Sequence, residues 1–373
     1  MNPIKFAPSD PNTLGVEIEV ALVDGETFSL TDACPAILER IPNASETGIK
    51  PELMQCYIEA NSSVCRNARE AKADLHHKLS LIQSTADDLG CRLYWSGTHP
   101  FSRWSEQSVT QNDRYLNLVE SMQETARQLV TFGLHVHVGV DTGDKAIMIC
   151  DRMLRHLPTL LALSCNSPFW EGNNTGLQSW RSRIMDGLPT AGLPPMMRNW
   201  SEYVWLVNHL IATGFIETIR EIWWDMRPHH NFGTVEIRIC DVPGNLEDAI
   251  GIAALVHCLV KSLSDEIDAG TYQHDCHPMM VRQNKWRAAR YGLDAQLVDS
   301  DTFEMRAARD IVRDLVDRMW PTAEALDCTA ELERVLANTE RPNWSQRQLE
   351  FLKSSGNPVD IIRQMTSLSR LAG

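Results

Sequence analysis

Three short segments carry charged or metal-binding side chains at alternate positions of otherwise apolar sequence. Gly15-Val16-Glu17-Ile18-Glu19-Val20 sets two carboxylates two residues apart, and Gly133-Leu134-His135-Val136-His137-Val138 does the same with two imidazoles. Thr234-Val235-Glu236-Ile237-Arg238-Ile239 places a carboxylate beside a guanidinium. In an extended strand residues i and i+2 share a face, so each segment offers a pair of reactive groups on one side and aliphatic groups on the other. Taken singly, each is an ordinary solvated strand face. Gathered in one sheet, three carboxylates, two imidazoles and a guanidinium are unfavourable unless cations or a charged ligand offset them. Carboxylate-rich sets with few imidazoles suit hard ions such as Mg²⁺ or Mn²⁺, and the sequence has no HExxH segment that would point to zinc.

The elements that must position these groups follow from periodicity. Alternation predicts strands over residues 14–23, 91–97, 132–140 and 234–240, the first ending at the Asp24-Gly25 turn. Helical spacing predicts helices over residues 66–89, with Gly90 as the stop, and over 145–164, 246–267 and 303–319; Pro158 should end or kink the second of these. Residues 168–195 form a long Gly-, Asn- and Pro-rich stretch containing Trp170, Trp180, Arg181 and Arg183, whose tryptophans favour an ordered, functional loop. No repeat, low-complexity tract or composition shift divides the chain. A single catalytic domain over residues 1–373, with a helical C-terminal portion from about residue 300, is the expectation.

Composition narrows the function. The 373 residues with 43% hydrophobic and 23% charged content can build a sizeable core. A formal net charge of -14 argues against nucleic acid and anionic membrane as partners. The apolar run at residues 250–260 is too short to span a bilayer, and the start lacks the pattern of a signal peptide. The 10 cysteines include no CxxC pair and read as reduced, buried thiols, so a cytoplasmic location is expected.

Across most of its length the chain resembles the second group of glutamate-cysteine ligases, the YbdK-like carboxylate-amine ligases. The resemblance is carried by Gly15 through Glu19, Pro51-Glu52-Leu53, Glu59-Ala60-Asn61-Ser62, Gly133 through Val138, and Leu163 through Trp170 followed by Thr175-Gly176. It continues through Pro195 to Tyr203, Ile222 to Pro228, Thr234 to Arg238, and Trp286 to Asp294. It implies an α+β, glutamine-synthetase-like catalytic domain whose curved, mainly antiparallel sheet forms a funnel with helices on its outer face. It further implies ATP and Mg²⁺, or Mn²⁺, in the funnel, with Glu17, Glu19, Glu52, Glu59, His135 and Glu236 as metal ligands. Arg238 would clamp the phosphate being transferred, Glu236 and Arg238 would act in catalysis, and His137 and Arg181 would lie toward the nucleotide or substrate. One residue pair breaks the pattern, because Glu52 and Glu59 are separated by an odd number and a regular strand would point them to opposite faces. A turn or bulge between them, or a single ligand, would resolve it.

The implied reaction is ATP-dependent amide formation through an acyl phosphate, with glutamate as the carboxylate and cysteine as the amine. Another small carboxylate or amine, a phosphotransferase without the second step, a metal-dependent hydrolase, and a non-catalytic binding protein remain the alternatives, as does a homo-oligomeric state. Nucleotide binding separates ligase from hydrolase.

Overall fold

The computed structural model describes residues 4–271 and 277–372, and in it the three charged segments share one sheet. Its strands are β1 (Leu14–Asp24), β2 (Ile49–Pro51), β3 (Tyr57–Asn61), β4 (Cys91–Tyr94) and β5 (Gly133–Gly139). A separate small hairpin, β6 (Phe169–Trp170) with β7 (Asn173–Asn174), precedes the last two strands, β8 (Met226–His229) and β9 (Thr234–Asp241). The order is β2-β3-β1-β5-β9-β8, every pair is antiparallel, and β1 is long enough to pair with β5 along its first half and with β4 at its end.

Alternation divides the sheet into two faces. Val16, Ile18, Val20, Leu134, Val136, Val138, Val235 and Ile237 are all buried against helices. At the centre of that layer lies the helix Leu246–Asp268, which packs on β5 and on the helices Ala68–Asp88, Gly143–Met153, Ala308–Ala325 and Thr329–Thr339. It is buried on nearly every side from Leu246 to Val260, which explains an apolar run that circles the helix rather than forming a stripe. Asn245 starts this helix by accepting the Asp248 N–H at 2.8 Å, and Asn67 starts the Ala68–Asp88 helix by accepting the Glu70 N–H at 3.0 Å. The α+β expectation with a mainly antiparallel sheet is the architecture found.

Several boundaries differ from the sequence reading. The strand expected over 91–97 ends at Tyr94 because the next backbone groups bind a loop: Trp95 O accepts from Asn166 Nδ2 at 3.0 Å and Gly97 N donates to Asn166 O at 3.0 Å. The helix expected over 145–164 is two helices, Gly143–Met153 and Leu157–Ser164, with Pro158 in the first turn of the second, where its missing N–H is harmless. Residues 303–307 are not helical. Asp299 accepts the N–H groups of Asp301 and Thr302, and this turn returns the chain as the hairpin β10 (Gln296–Val298) with β11 (Met305–Ala307) before the helix Ala308–Ala325 begins. Local turn chemistry outweighs the helical spacing there. Beyond it lie the helices Thr329–Thr339, Trp344–Ser355 and Pro358–Leu368. The nine described cysteines are free and buried; Cys276 lies outside the described residues. No described helix is long and apolar enough to cross a membrane.

The turn joining β8 to β9 packs under the N-terminal segment, where Ala7 N donates to His230 O at 2.8 Å and Val140 N donates to Gly233 O at 2.9 Å. Gly233 has φ +63, and a Cβ there would stand 2.1 Å from Ala7 O. Gly233→Ala should therefore destabilise the fold by roughly 2 kcal/mol or more, read as a lower urea midpoint; an unchanged midpoint would refute this packing.

Candidate functional site

Strand register brings the charged segments together. The β1–β5 pairing sets Glu17 opposite His135, and the β1–β3 pairing sets Glu19 opposite Glu59. Across β5 and β9, His137 faces Glu236, while β8 brings Arg227 to the other side of Glu236. Glu52 follows the last residue of β2, in the turn leading to β3, so strand alternation no longer governs it and it sits with Glu19 and Glu59 despite the odd spacing.

Three sets of side chains among the described residues have ligand atoms within 4.8 Å of one another: Glu17 with Glu59 and His135, Glu17 with His137 and Glu236, and Glu19 with Glu52 and Glu59. All six of the expected ligands fall in these sets. His137, which the sequence reading put toward the nucleotide, joins them as well. His135 Nδ1 lies 3.1 Å from Glu17 Oε2, and His137 Nε2 lies 3.3 Å from Glu17 Oε1 and 3.8 Å from Glu236 Oε1. The other ring nitrogen of His137 is 3.0 Å from Thr234 Oγ1, which fixes the imidazole plane in the way that outer partners orient metal-binding histidines. Oxygen-rich triads with one or no imidazole fit Mg²⁺ or Mn²⁺.

The electrostatics divide the site in two. Burial pushes Glu17 upward, but His137 and His135 outweigh it and hold this carboxyl well below its usual range. Glu236 is likewise held low, because Arg227 and Arg238 overcome its burial. At the other end, burial and neighbouring carboxylates outweigh the nearby arginines Arg181 and Arg238. Burial and the neighbouring Glu52 push Glu19 up to about 8, and Glu59 is driven well above its ordinary value by burial and by Glu17, Glu52 and Glu19. A divalent cation bound among Glu19, Glu52 and Glu59 would offset this cluster of like charges.

Three arginines surround the carboxylates. Arg238 lies in β9 where the register with β5 shifts by one residue, a bulge that turns the strand locally, and its side chain pairs with Glu236. Arg181 is 3% exposed and donates to the backbone carbonyls of Arg238 and Ile239 at 3.3 and 3.4 Å. It thus braces the bulge from behind, a buried position that the expectation of nucleotide contact did not contain. Gly133 makes room for it, since a Cβ there would stand 2.3 Å from Arg181 Nη2. Asp241 holds the preceding loop by accepting from Ser167 Oγ at 2.7 Å, Ser179 Oγ at 2.8 Å and Asn166 N at 2.9 Å. Arg227 was not singled out from the sequence. Its signal was its place in the Ile222-to-Pro228 segment that carries the family resemblance, and its partner Glu236 is set by strand pairing rather than by spacing.

The charge pattern has a pH consequence. In the folded chain Glu19 keeps its proton up to about pH 8, whereas the unfolded chain loses it in the ordinary carboxylate range, so the folded state holds more protons in between and stability falls as pH rises. In EDTA the melting temperature should drop between about pH 6 and 8; Mg²⁺ should restore it, by more at the higher pH, and Glu19→Gln should flatten the drop. A flat profile for the wild-type chain in EDTA would remove Glu19 from this account.

With the geometry described, comparison with known proteins places the chain. The sequence profile of glutamate-cysteine ligase family 2 (GCS2) matches residues 13–357. A protein provisionally named glutamate-cysteine ligase 2 from Gloeobacter violaceus is 39% identical over 364 residues, covering 97% of this chain and 98% of that one. A similarly named protein of Frankia alni is 43% identical over 364 residues, covering 96% and 95%. Among solved structures, glutamate-cysteine ligase of Francisella tularensis in complex with AMP has the same fold, with a TM-score of 0.70 at 13% identity over 97% of this chain and 90% of that one. The bifunctional glutathione synthetase of Pasteurella multocida matches with a TM-score of 0.68 at 14% identity over 95% of this chain, which spans 52% of that protein. The full-length profile match and the identity to these relatives show that this chain belongs to glutamate-cysteine ligase family 2.

Proposed function

We propose that the chain is an ATP- and Mg²⁺-dependent carboxylate-amine ligase that activates L-glutamate as an acyl phosphate and joins it to an amine, with cysteine as the amine. Family membership supports the class of reaction. The observation that carries the reading is the pairing of two ion positions along β1, one at Glu17, His137 and Glu236 and one at Glu19, Glu52 and Glu59, with Arg238 beside them.

Held by these residues, the ions would supply positive charge that offsets the repulsion keeping a carboxylate from attacking ATP. The remaining work falls to the chain. Glu17, His135, His137 and Glu236 hold the phosphate end, and Glu19, Glu52 and Glu59 hold the acceptor end. The Arg238 Nε is buried with no protein partner, so the guanidinium has donors to spare for the phosphoryl group in flight and for the phosphate that leaves when the amine attacks. A cavity of about 250 Å³ opens beside Glu17 and His137, lined by Gly15, Val64, Phe232 and Thr234. Its mainly apolar wall, with the exposed Phe232 ring stacked 4.1 Å from His229, suits a nucleobase, which leaves the carboxylate substrate at the Glu19 end. ATP supply and the free thiols support a cytoplasmic setting.

With ATP, Mg²⁺, L-glutamate and L-cysteine the chain should release phosphate and form a γ-glutamyl amide of matching mass, and ¹⁸O in the glutamate γ-carboxylate should appear in the phosphate. Phosphate release without amide across a panel of amines would make the protein a phosphotransferase or hydrolase instead. Arg238→Lys should lower kcat by about 10² or more with little change in ATP affinity, because lysine keeps the charge but loses the planar fork. A normal kcat with only a lower melting temperature would reduce Arg238 to a structural partner of Glu236.

A further inference from the structure

We infer that Arg227 is a positioning residue that fixes which oxygen of Glu236 faces the ion position shared with Glu17 and His137. The inference rests on the ligase reading, in which that position holds a divalent cation. Arg227 enters from β8 opposite Glu236 and is buried. Its Nε donates to Glu236 Oε2 at 2.6 Å, while Nη1 donates to Ile222 O at 2.7 Å and Ile219 O at 3.3 Å. The guanidinium is therefore tethered to backbone on one side and on the other holds the carboxylate by both oxygens, with Nη2 donating to Oε1 at 3.4 Å, so that the plane of Glu236 is set. Glu236 Oε1, which also pairs with Arg238 Nη1, is thereby turned toward His137 Nε2, which Glu17 Oε1 also approaches.

Two arginines thus meet one carboxylate, and their surroundings separate their roles. Arg227 is anchored to two backbone carbonyls, whereas Arg238 keeps a buried Nε without a protein partner. The first holds the ligand and the second remains available for the reacting phosphate. Without Arg227, Glu236 would lose the partner that sets its plane as well as a counter-charge, and only Arg238 would still hold the oxygen aimed at the ion. A lysine could supply the charge but could not grip a carboxylate and two carbonyls in one plane.

Mn²⁺ binding to the full chain, followed by electron paramagnetic resonance without nucleotide, separates this role from a plain ion pair between β8 and β9. Arg227→Lys should weaken one class of Mn²⁺ site by about 10- to 100-fold and leave the other unchanged, with no further loss when combined with Glu236→Gln. Glu52→Gln should weaken the other class instead. Arg227→Met, if folded, should behave as the lysine variant does. Equal weakening of both classes, no weakening, or loss of fold in both Arg227 variants would overturn the inference in favour of a structural ion pair. A wild-type chain that binds no Mn²⁺ would overturn the ion assignment itself and this inference with it, and is distinguishable because the unaltered protein is then the sample that fails.

Discussion

Carboxylates carried onto a sheet face that water barely reaches must find positive charge, and five of them converge here: Glu17, Glu19, Glu52, Glu59 and Glu236. At Glu236, between Arg227 and Arg238, and at Glu17, beside His137 and hydrogen-bonded to His135, the carboxylates stay ionised. At Glu19 and Glu59, burial and the neighbouring carboxylates prevail and hold the carboxyls above their usual range. The unequal balance of charge gives the face a direction, with an ionised end at Glu17 and Glu236 and an end at Glu19 and Glu59 that holds its protons to higher pH.

Much of the remaining structure holds that face still. The aliphatic side of each charged strand is buried in the helix layer around Leu246–Asp268, so a slip of one residue would exchange carboxylates for valines and isoleucines at large cost. At its other end, this helix is tied to the C-terminal region through Asp248, which accepts from Trp344 Nε1 at 2.7 Å and Arg334 Nε at 2.6 Å. Gln348 continues the connection inward, donating to Asn166 Oδ1 at 2.7 Å and Ser96 Oγ at 3.1 Å. Asn166 borders the segment that Asp241 clamps and that delivers Arg181 to the bulge. Helices distant in sequence therefore reach Arg238 through a continuous series of buried polar contacts.

The bulge itself reconciles two needs. An unbroken β9 would continue strict alternation and pair fully with β5, whereas the register shift leaves the carbonyls of Arg238 and Ile239 available to Arg181. A buried guanidinium then lies close to both Arg238 and Glu19, and the glycine at 133 is what lets it fit.

By itself the sequence determined the pairs within strands, because a two-residue period fixes which side chains share a face wherever the strand goes. Glu17 with Glu19, His135 with His137 and Glu236 with Arg238 were legible for that reason, as were the long helices with regular apolar spacing. Family resemblance added Glu52 and Glu59, whose placement no strand rule could give. Pairs between strands were a matter for the tertiary structure. That Glu17 meets both histidines, that Arg227 grips Glu236, that Arg181 faces backbone carbonyls and that Glu52 turns toward Glu19 all depend on register, on a bulge and on a turn. Those features arise from how the sheet closes on its helices, through contacts between residues far apart in the chain, and no local period records them.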